Sequence, residues 1–279
     1  MIGKVCIVTG SNSGIGKETA LALTEMGASV IMAVRNLERG NAARTEIIER
    51  TGRDTIDLMT CDLSSTQSIR QFVQDFSQKY DRLDVLINNA GAACHERQIT
   101  EDGFERSLAV NYLGPFLLTR ELLPLLQNSA PSRVINLSSG LHARAKIDFD
   151  DIQNERNYKG MRAYESSKLM LLMYTYELAR RLDGTGVTAN VVLPGFVATN
   201  LGANMGGLRN KIMFKIVRPF QINAQKGAET SIYAATSPEL EGVTGKCFAK
   251  SQEKQSSEDS YNESVQKRLW DVAENLLGL

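Results

Sequence analysis

The sequence predicts an α/β protein built on a doubly wound parallel sheet with helices on both faces. Two observations carry this reading. Short β-branched runs alternate with longer amphipathic stretches through the first two hundred residues, which is the order of βαβ units. Most of the runs are continuously apolar instead of alternating with polar residues, as expected of strands buried on both faces. At 279 residues and 42% hydrophobic composition, the chain is long enough for one large core, and we read residues 1–279 as one domain.

Six strands are expected, at Val5 to Thr9, Ser29 to Val34, Ile56 to Thr60, Val85 to Ile87, Val134 to Leu137 and Thr188 to Leu193. Between them, Lys17 to Met26 and Ser68 to Lys79 have helical periodicity. Ala163 to Leu182 reads as a long apolar-faced helix, ending in Arg180-Arg181, whose charge suits a helix C-terminus. Beyond the sixth strand, Leu201, Met205, Leu208, Ile212 and Ile216 recur every three or four residues, and 200–225 is expected to form a helical lid over the cleft. Ser251 to Ser260 is polar and serine-rich, the composition of a solvated loop. After it, Val265, Leu269, Val272 and Leu276 mark a C-terminal helix within 261–279, with Gly278 as its stop.

Composition excludes several function classes. Basic and acidic residues number 32 each, so there is no excess positive charge for a nucleic-acid backbone. The N-terminus runs from Met1 straight into the strand at Val5, too short for a signal peptide or membrane span. Cys6, Cys61, Cys94 and Cys247 are far apart, without a Cys-x-x-Cys pair, so no metal site or redox pair is indicated and a reducing cytoplasm fits.

Directly after the first strand comes Gly10-Ser11-Asn12-Ser13-Gly14-Ile15-Gly16. Glycines at a strand-to-helix turn let the backbone approach a pyrophosphate, whose charge then sits at the positive end of the helix. The gaps of four and two depart from the G-x-G-x-x-G spacing. This makes the architecture Rossmann-like, with the ligand crevice at the carboxyl ends of the strands.

Tyr164 and Lys168 are four apart on the long helix, so their side chains emerge on one face, one turn apart. A free tyrosine, with a pKa of about 10, is a poor base at neutral pH. A neighbouring ammonium and a positively charged ring of a bound ligand would both favour the phenolate, and a lowering of about three units would take roughly 4 kcal/mol. Tyr164 is then a candidate general acid and base. Ser139 ends the fifth strand, where its hydroxyl can hold a substrate oxygen. Ser138 is the alternative, though strand alternation turns it away from Ser139. Asn111 stands inside a helical stretch, where asparagine is disfavoured and a kink or internal bond would account for it. Asp62, at a strand end, suits a helix cap as well as a ligand contact. His142 with Ser139 and Asp148 or Asp150 suggests a hydrolase triad, but the nucleophile-elbow pattern is missing. We read His142 as a surface or lip residue.

Taken in order, Thr9 to Gly16, Asp62, Asn88-Asn89-Ala90-Gly91, Asn111, Ser139, Tyr164-x-x-x-Lys168 and Pro194-Gly195 resemble the short-chain dehydrogenase/reductase signature set over almost the whole chain. Arg35-Asn36, the long segment between Ser139 and Tyr164, and Arg268-Leu269-Trp270-Asp271 are similar to the retinol-dehydrogenase-like branch. The resemblance implies a nicotinamide dinucleotide held by residues 10–16, Arg35, Asp62, Leu63, Asn89, Ala90, Gly91, Tyr164, Lys168, Pro194, Gly195, Val197 and Thr199. It also implies that Asp62 meets the adenine amino group, that Asn88 is the more structural of its pair, and that Asn111 helps hold a water chain reaching Lys168. At the family's position for the ribose 2′-hydroxyl acceptor stands Val34, which accepts nothing, while Arg35 offers donors for a 2′-phosphate. NADP(H) is therefore expected ahead of NAD(H), with a small-molecule carbonyl or alcohol of apolar character as substrate. Family habit favours a homo-oligomer. A catalytically silent dinucleotide-binding sensor is the competing class, and such a protein would not need Asn111, Ser139, Tyr164 and Lys168 together.

Overall fold

The computed structural model describes residues 1–195 and 223–279. Its eight strands form one sheet in the order β3-β2-β1-β4-β5-β6-β7-β8. The strands are β1 (Val5–Thr9), β2 (Ser29–Val34), β3 (Ile56–Thr60), β4 (Val85–Asn88), β5 (Ser132–Leu137), β6 (Val187–Leu193), β7 (Cys247–Ala249) and β8 (Gln252–Glu253). All pairings are parallel except that of β8 with β7. Chain order reverses where β1 lies between β2 and β4, so β1 and β4 flank the crevice in which such sheets bind ligands.

Strand alternation divides the core between the two faces. Val5 and Ile7 of β1 join one apolar cluster, with α3 (Thr66–Lys79), α5 (Gly114–Asn128), α6 (Gly160–Arg181) and the C-terminal helix α8 (Glu263–Leu277). Cys6 and Val8 join the other, with α1 (Gly14–Glu25), α2 (Leu37–Thr51) and α7 (Ala224–Thr236). The one-turn helix α4 (Arg106–Leu108) leads through a π turn, Ala109–Leu113, into α5.

The structure revises several boundaries. The helix expected from Lys17 begins at Gly14, so Gly14 and Gly16 of the glycine turn lie in its first turn. That expected from Ala163 begins at Gly160, where an added Cβ would collide with the Cys94 carbonyl. The Ser251 to Ser260 stretch is no plain solvated loop. It contains β8, and the Ser256 hydroxyl shares hydrogen bonds with Tyr176 and Ser260, both 2.7 Å.

The C-terminal helix stops at Gly278 in the left-handed region, φ 66°, as expected. Its buried stripe is Gln266, Leu269, Trp270, Ala273 and Leu277, so the inward face is turned slightly from the expected one. Trp270 packs on Phe116 and Tyr174 at centroid distances of 4.8 and 5.7 Å, and the Tyr112 hydroxyl donates to the Leu269 carbonyl at 2.7 Å. All four cysteines are buried and unpaired by disulfides. No helix among the described residues is long and apolar enough to cross a membrane.

Candidate active site

The turn after β1 is tied to the end of β4 by one buried threonine. The Thr9 hydroxyl accepts from the amides of Asn89 (2.9 Å) and Ala90 (3.0 Å), while the Asn89 side-chain amide donates to the Thr9 carbonyl at 2.7 Å. Gly10 has φ +65°, and a Cβ there would lie 2.9 Å from Ala90 Cα. A Cβ on Gly16 would meet the Gly10 carbonyl at 2.7 Å and crowd the Asn89 amide. The buried Ser11 hydroxyl is spent on the Val8 carbonyl at 2.9 Å. Ser13, the residue before α1, makes no side-chain cap bond. The first amides of α1 therefore lack that usual partner, and beside backbone with no Cβ they form a cradle that fits a dinucleotide pyrophosphate. Asn12, Gly14 and Ile15 lie partly exposed along the same turn.

Val34, at the end of β2, is buried, and Arg35 beyond it is exposed. Arg35 Nε lies 4.0 Å from Asp62 Oδ2, across the neighbouring strand end, a weak pair at such exposure. The other carboxylate oxygen of Asp62 accepts from the Ser64 amide (2.9 Å) and hydroxyl (2.6 Å), so the Asp62 side chain also shapes the turn into α3. Leu63 points into the core. Asn88 is the structural member of its pair, donating to Asn136 Oδ1 (2.8 Å) and the Thr119 hydroxyl (3.1 Å). Asn89 is structural as well, since its NH2 group holds the glycine turn, while Ala90 and Gly91 complete the partly exposed strand end.

Across the crevice, β5 and α6 bring Ser139, Tyr164 and Lys168 together. The two serines face opposite ways: the Ser138 hydroxyl donates to the Lys168 carbonyl at 2.7 Å, and Ser139 faces the Tyr164 phenol. Lys168 is only 4% exposed, and its Nζ donates to the Leu137 carbonyl at 2.8 Å. Burial brings its pKa down to about 8. Tyr164 is 7% exposed, packed with Ala93, Leu141 and Met161. Burial raises its pKa above the ordinary tyrosine value, with the Ser139 hydroxyl acting the other way. The expected lowering counted Lys168 and a positive nicotinamide ring together, and Lys168 alone does not bring it about. In the protein alone the ammonium is directed at a backbone carbonyl, and desolvation dominates.

Asn111 lies fully buried in the π turn, a distortion that recurs at functional sites. Its Oδ1 accepts from the Ala92 amide at 2.8 Å, and its Nδ2 donates to the Ala92 carbonyl (2.8 Å) and the Ser167 hydroxyl (2.9 Å). Ser167 in turn donates to the Tyr164 carbonyl at 2.8 Å. The internal bond that sequence offered as one account of Asn111 is present, and it links the segment after β4 to the helix of Tyr164. Pro194 and Gly195, φ +83°, close β6 at the edge of the described residues. Val197, Thr199 and the lid stripe from Leu201 to Ile216 lie outside them.

A family model described as short chain dehydrogenase matches residues 4–207. The chain belongs to the short-chain dehydrogenase family. It is 43% identical to human retinol dehydrogenase 14 over 294 residues, covering 100% of this chain and 88% of that protein. Mouse retinol dehydrogenase 11 is 43% identical over 277 residues, with 99% and 87% covered. Among solved structures, an uncharacterised protein from Mycobacterium Paratuberculosis matches with a TM-score of 0.80 and 31% identity, over 99% of this chain and 94% of that one. Within the family this chain is retinol-dehydrogenase-like, and the family's fold binds a nicotinamide dinucleotide.

In this short-chain dehydrogenase two residues named from the sequence have roles it did not reveal. Thr9 stood in the glycine motif, with nothing to show that its hydroxyl ties the turn to the end of β4. His142, read as a surface or lip residue, is buried at 3% exposure. Its Nδ1 lies 2.6 Å from the Ser139 carbonyl, and its Nε2 accepts from the Ser257 amide at 3.2 Å. A carbonyl only accepts, so Nδ1 carries the proton and Nε2 is bare. Burial holds the ring below the usual histidine pKa; the Ser139 carbonyl opposes this and Lys254 adds to it.

Proposed function

We propose that this chain is an NADP(H)-dependent oxidoreductase that moves hydride between the nicotinamide and an apolar carbonyl or alcohol, with Tyr164 as general acid and base. One observation carries the reading: a buried phenol with Ser139 facing it and Lys168 one turn along the same helix. The glycine turn, with its cradle for a pyrophosphate, stands at the neighbouring strand end. Residues 10–16, Arg35 and Asp62 would hold the adenosine side, and Lys168, Pro194 and Gly195 the nicotinamide side. When bound, the nicotinamide supplies the hydride to the carbonyl carbon or takes it from the alcohol.

The chain's own groups handle the proton and the developing charge. Burial keeps Tyr164 protonated at neutral pH, the state needed to donate to a carbonyl oxygen as it gains charge. Ser139 holds that oxygen by a second hydrogen bond. Lys168, fixed on the Leu137 carbonyl, is the buried positive charge that favours the phenolate left behind. Asn111 and Ser167 keep the backbone of Tyr164 in register with the segment after β4. The named relatives are retinol dehydrogenases; for this chain we propose the broader class of apolar carbonyls and alcohols. Preference for the 2′-phosphate rests on Arg35 beside a buried Val34, which has no acceptor to offer.

The test is NADPH oxidation by the purified protein across a panel of apolar aldehydes and ketones. Tyr164→Phe should lower kcat by about 10²–10⁴-fold, while NADPH binding by fluorescence stays within threefold. Most of the activity surviving in that variant would remove Tyr164 from its role.

A further inference from the structure

The Ser139 turn is held almost entirely by itself. Ser139 N-caps a 3-10 turn, Gly140–Arg144, its hydroxyl accepting from the Leu141 amide at 3.2 Å. Its carbonyl accepts from the His142 amide at 3.1 Å, and the Ala145 amide returns to the His142 carbonyl at 3.1 Å. Each of these bonds is internal to the turn. Among the described residues, two contacts leave it: the Ser139 hydroxyl faces the Tyr164 phenol, and the Ser257 amide, 115 residues further along the chain, donates to His142 Nε2.

The far end of that bond is well anchored. Next to Ser257, the Ser256 hydroxyl meets Tyr176 of α6 at 2.7 Å, and the Tyr176 and Tyr261 rings stack at 5.3 Å. Ser260 is fully buried, and its carbonyl accepts from Gln266 of α8 at 2.6 Å. A rigid support therefore stands on one side of the imidazole and the substrate-facing serine on the other.

We propose that His142, as a neutral imidazole with its proton on Nδ1, is a positioning residue that fastens the Ser139 turn to the C-terminal segment at Ser257. The inference rests on the reading of Ser139 as the group that holds the substrate oxygen. The fastening works in one protonation state. An imidazolium donates from both nitrogens, so the bond to the Ser139 carbonyl survives protonation while Nε2–H confronts the Ser257 N–H. Acid thus detaches the turn from its support without breaking the turn itself. The elements around the ring carry Arg144 on its own turn, Glu165 and Lys168 on α6, and Lys254 and Glu258 on the C-terminal segment. Of these, Lys254 acts on the ring and disfavours its protonation. The clip is therefore closed at neutral pH and opens below the usual histidine range.

Two variants separate the ring's charge from its hydrogen bonds. Glutamine is long enough to bring an acceptor to the Nε2 position and does not titrate; leucine fills the space and bonds to nothing. Hydrogen exchange at the Ser257 amide, corrected for intrinsic rates, and kcat with its companion KM for NADPH are measured from pH 8 to pH 5. In the wild type, Ser257 protection and kcat should fall together by at least tenfold on acidification, with KM for NADPH within threefold. His142→Gln should keep at least a third of the neutral kcat and abolish the fall in both readouts. His142→Leu should show low Ser257 protection and at least a tenfold lower kcat at every pH. The proposal is overturned by flat Ser257 protection in the wild type, or by an unchanged acid fall in His142→Gln, a comparison that stands even if the leucine variant does not fold. It is equally overturned by a His142→Leu kcat within threefold of wild type. Absence of turnover by the wild type across the carbonyl panel would count against the proposed function, and the exchange measurements would still decide the clip.

Discussion

Replacing Lys168 by methionine should make the protein more stable and inactive. The ammonium is buried, and its pKa is brought from 10.5 to about 8 by desolvation. At 1.36 kcal/mol per unit, keeping it charged in the folded state costs about 3 kcal/mol at pH 7. Methionine of similar length fills the site without that cost, but the bond to the Leu137 carbonyl is lost, about 2 kcal/mol for a charged donor. The balance favours the variant by about 1 kcal/mol at pH 7. The sign with pH follows from the lowered value. As pH falls from 10.5 to 8, the unfolded chain takes up the lysine proton before the folded one does, and the wild type loses stability that the variant keeps. At pH 10 the lysine is neutral when folded, and the burial cost is less than about 1 kcal/mol. Urea denaturation of both proteins at pH 7 and pH 10, with kcat alongside, measures the gap. It should move in favour of the variant by about 2 kcal/mol from the higher pH to the lower. A gap constant across that range would refute the lowered pKa, and substantial turnover in the variant would refute its role.

Arg35→Ala should weaken NADPH by about tenfold, the lower end for a charged hydrogen bond because the side chain is exposed, and leave NADH within twofold; the ratio of kcat/KM for the two cofactors decides this, and equal weakening of both would make Arg35 a general surface contact. Gly16→Ala forces a methyl against the Gly10 carbonyl and the Asn89 amide and should cost about 1–3 kcal/mol, read by urea denaturation, with loss of dinucleotide binding measured by calorimetry. Trp270→Ala empties the contact with Phe116 and Tyr174 and should cost about 3–5 kcal/mol in the same denaturation assay. A loss under 1 kcal/mol would show that α8 is held by something else.

Most of the sheet was legible because its strands are mostly apolar runs that give way to polar residues or glycine. β1, β2 and β3 begin and end where the sequence placed them, since Gly10, Arg35 and Cys61-Asp62 follow directly. β7 and β8 are three and two residues long, too short to carry a period, and exist because β6 offers an edge to pair with. Helix α2 carries few apolar residues, and Asn36 caps it instead, accepting from the Arg39 amide. In the site, the spacing of Tyr164 and Lys168 and the opposite facing of Ser138 and Ser139 follow from local backbone geometry and were readable. The direction of the Tyr164 pKa was not, because it depends on how much water the fold excludes. Nor was the burial of His142. Its neighbours Gly140, Ala143 and Arg144 suggest surface, and what covers the ring is fixed by Ser257, far along the chain.

The support for the tyrosine helix is synthesised well after the helix itself. Tyr174, on the helix of Tyr164, packs on Trp270, far along the chain. A ribosome adding about 5–20 residues per second needs roughly 5–20 s to travel from Tyr164 to Trp270. During that interval the aromatic faces of Phe116 and Tyr174 are already made and have no tryptophan to cover them. A nascent chain therefore exposes this patch until Trp270 has been made and has left the ribosome. A stop codon before residue 270 leaves it permanently uncovered, so such truncations should be cleared as aggregation-prone products even though every residue from Gly10 to Lys168 is present.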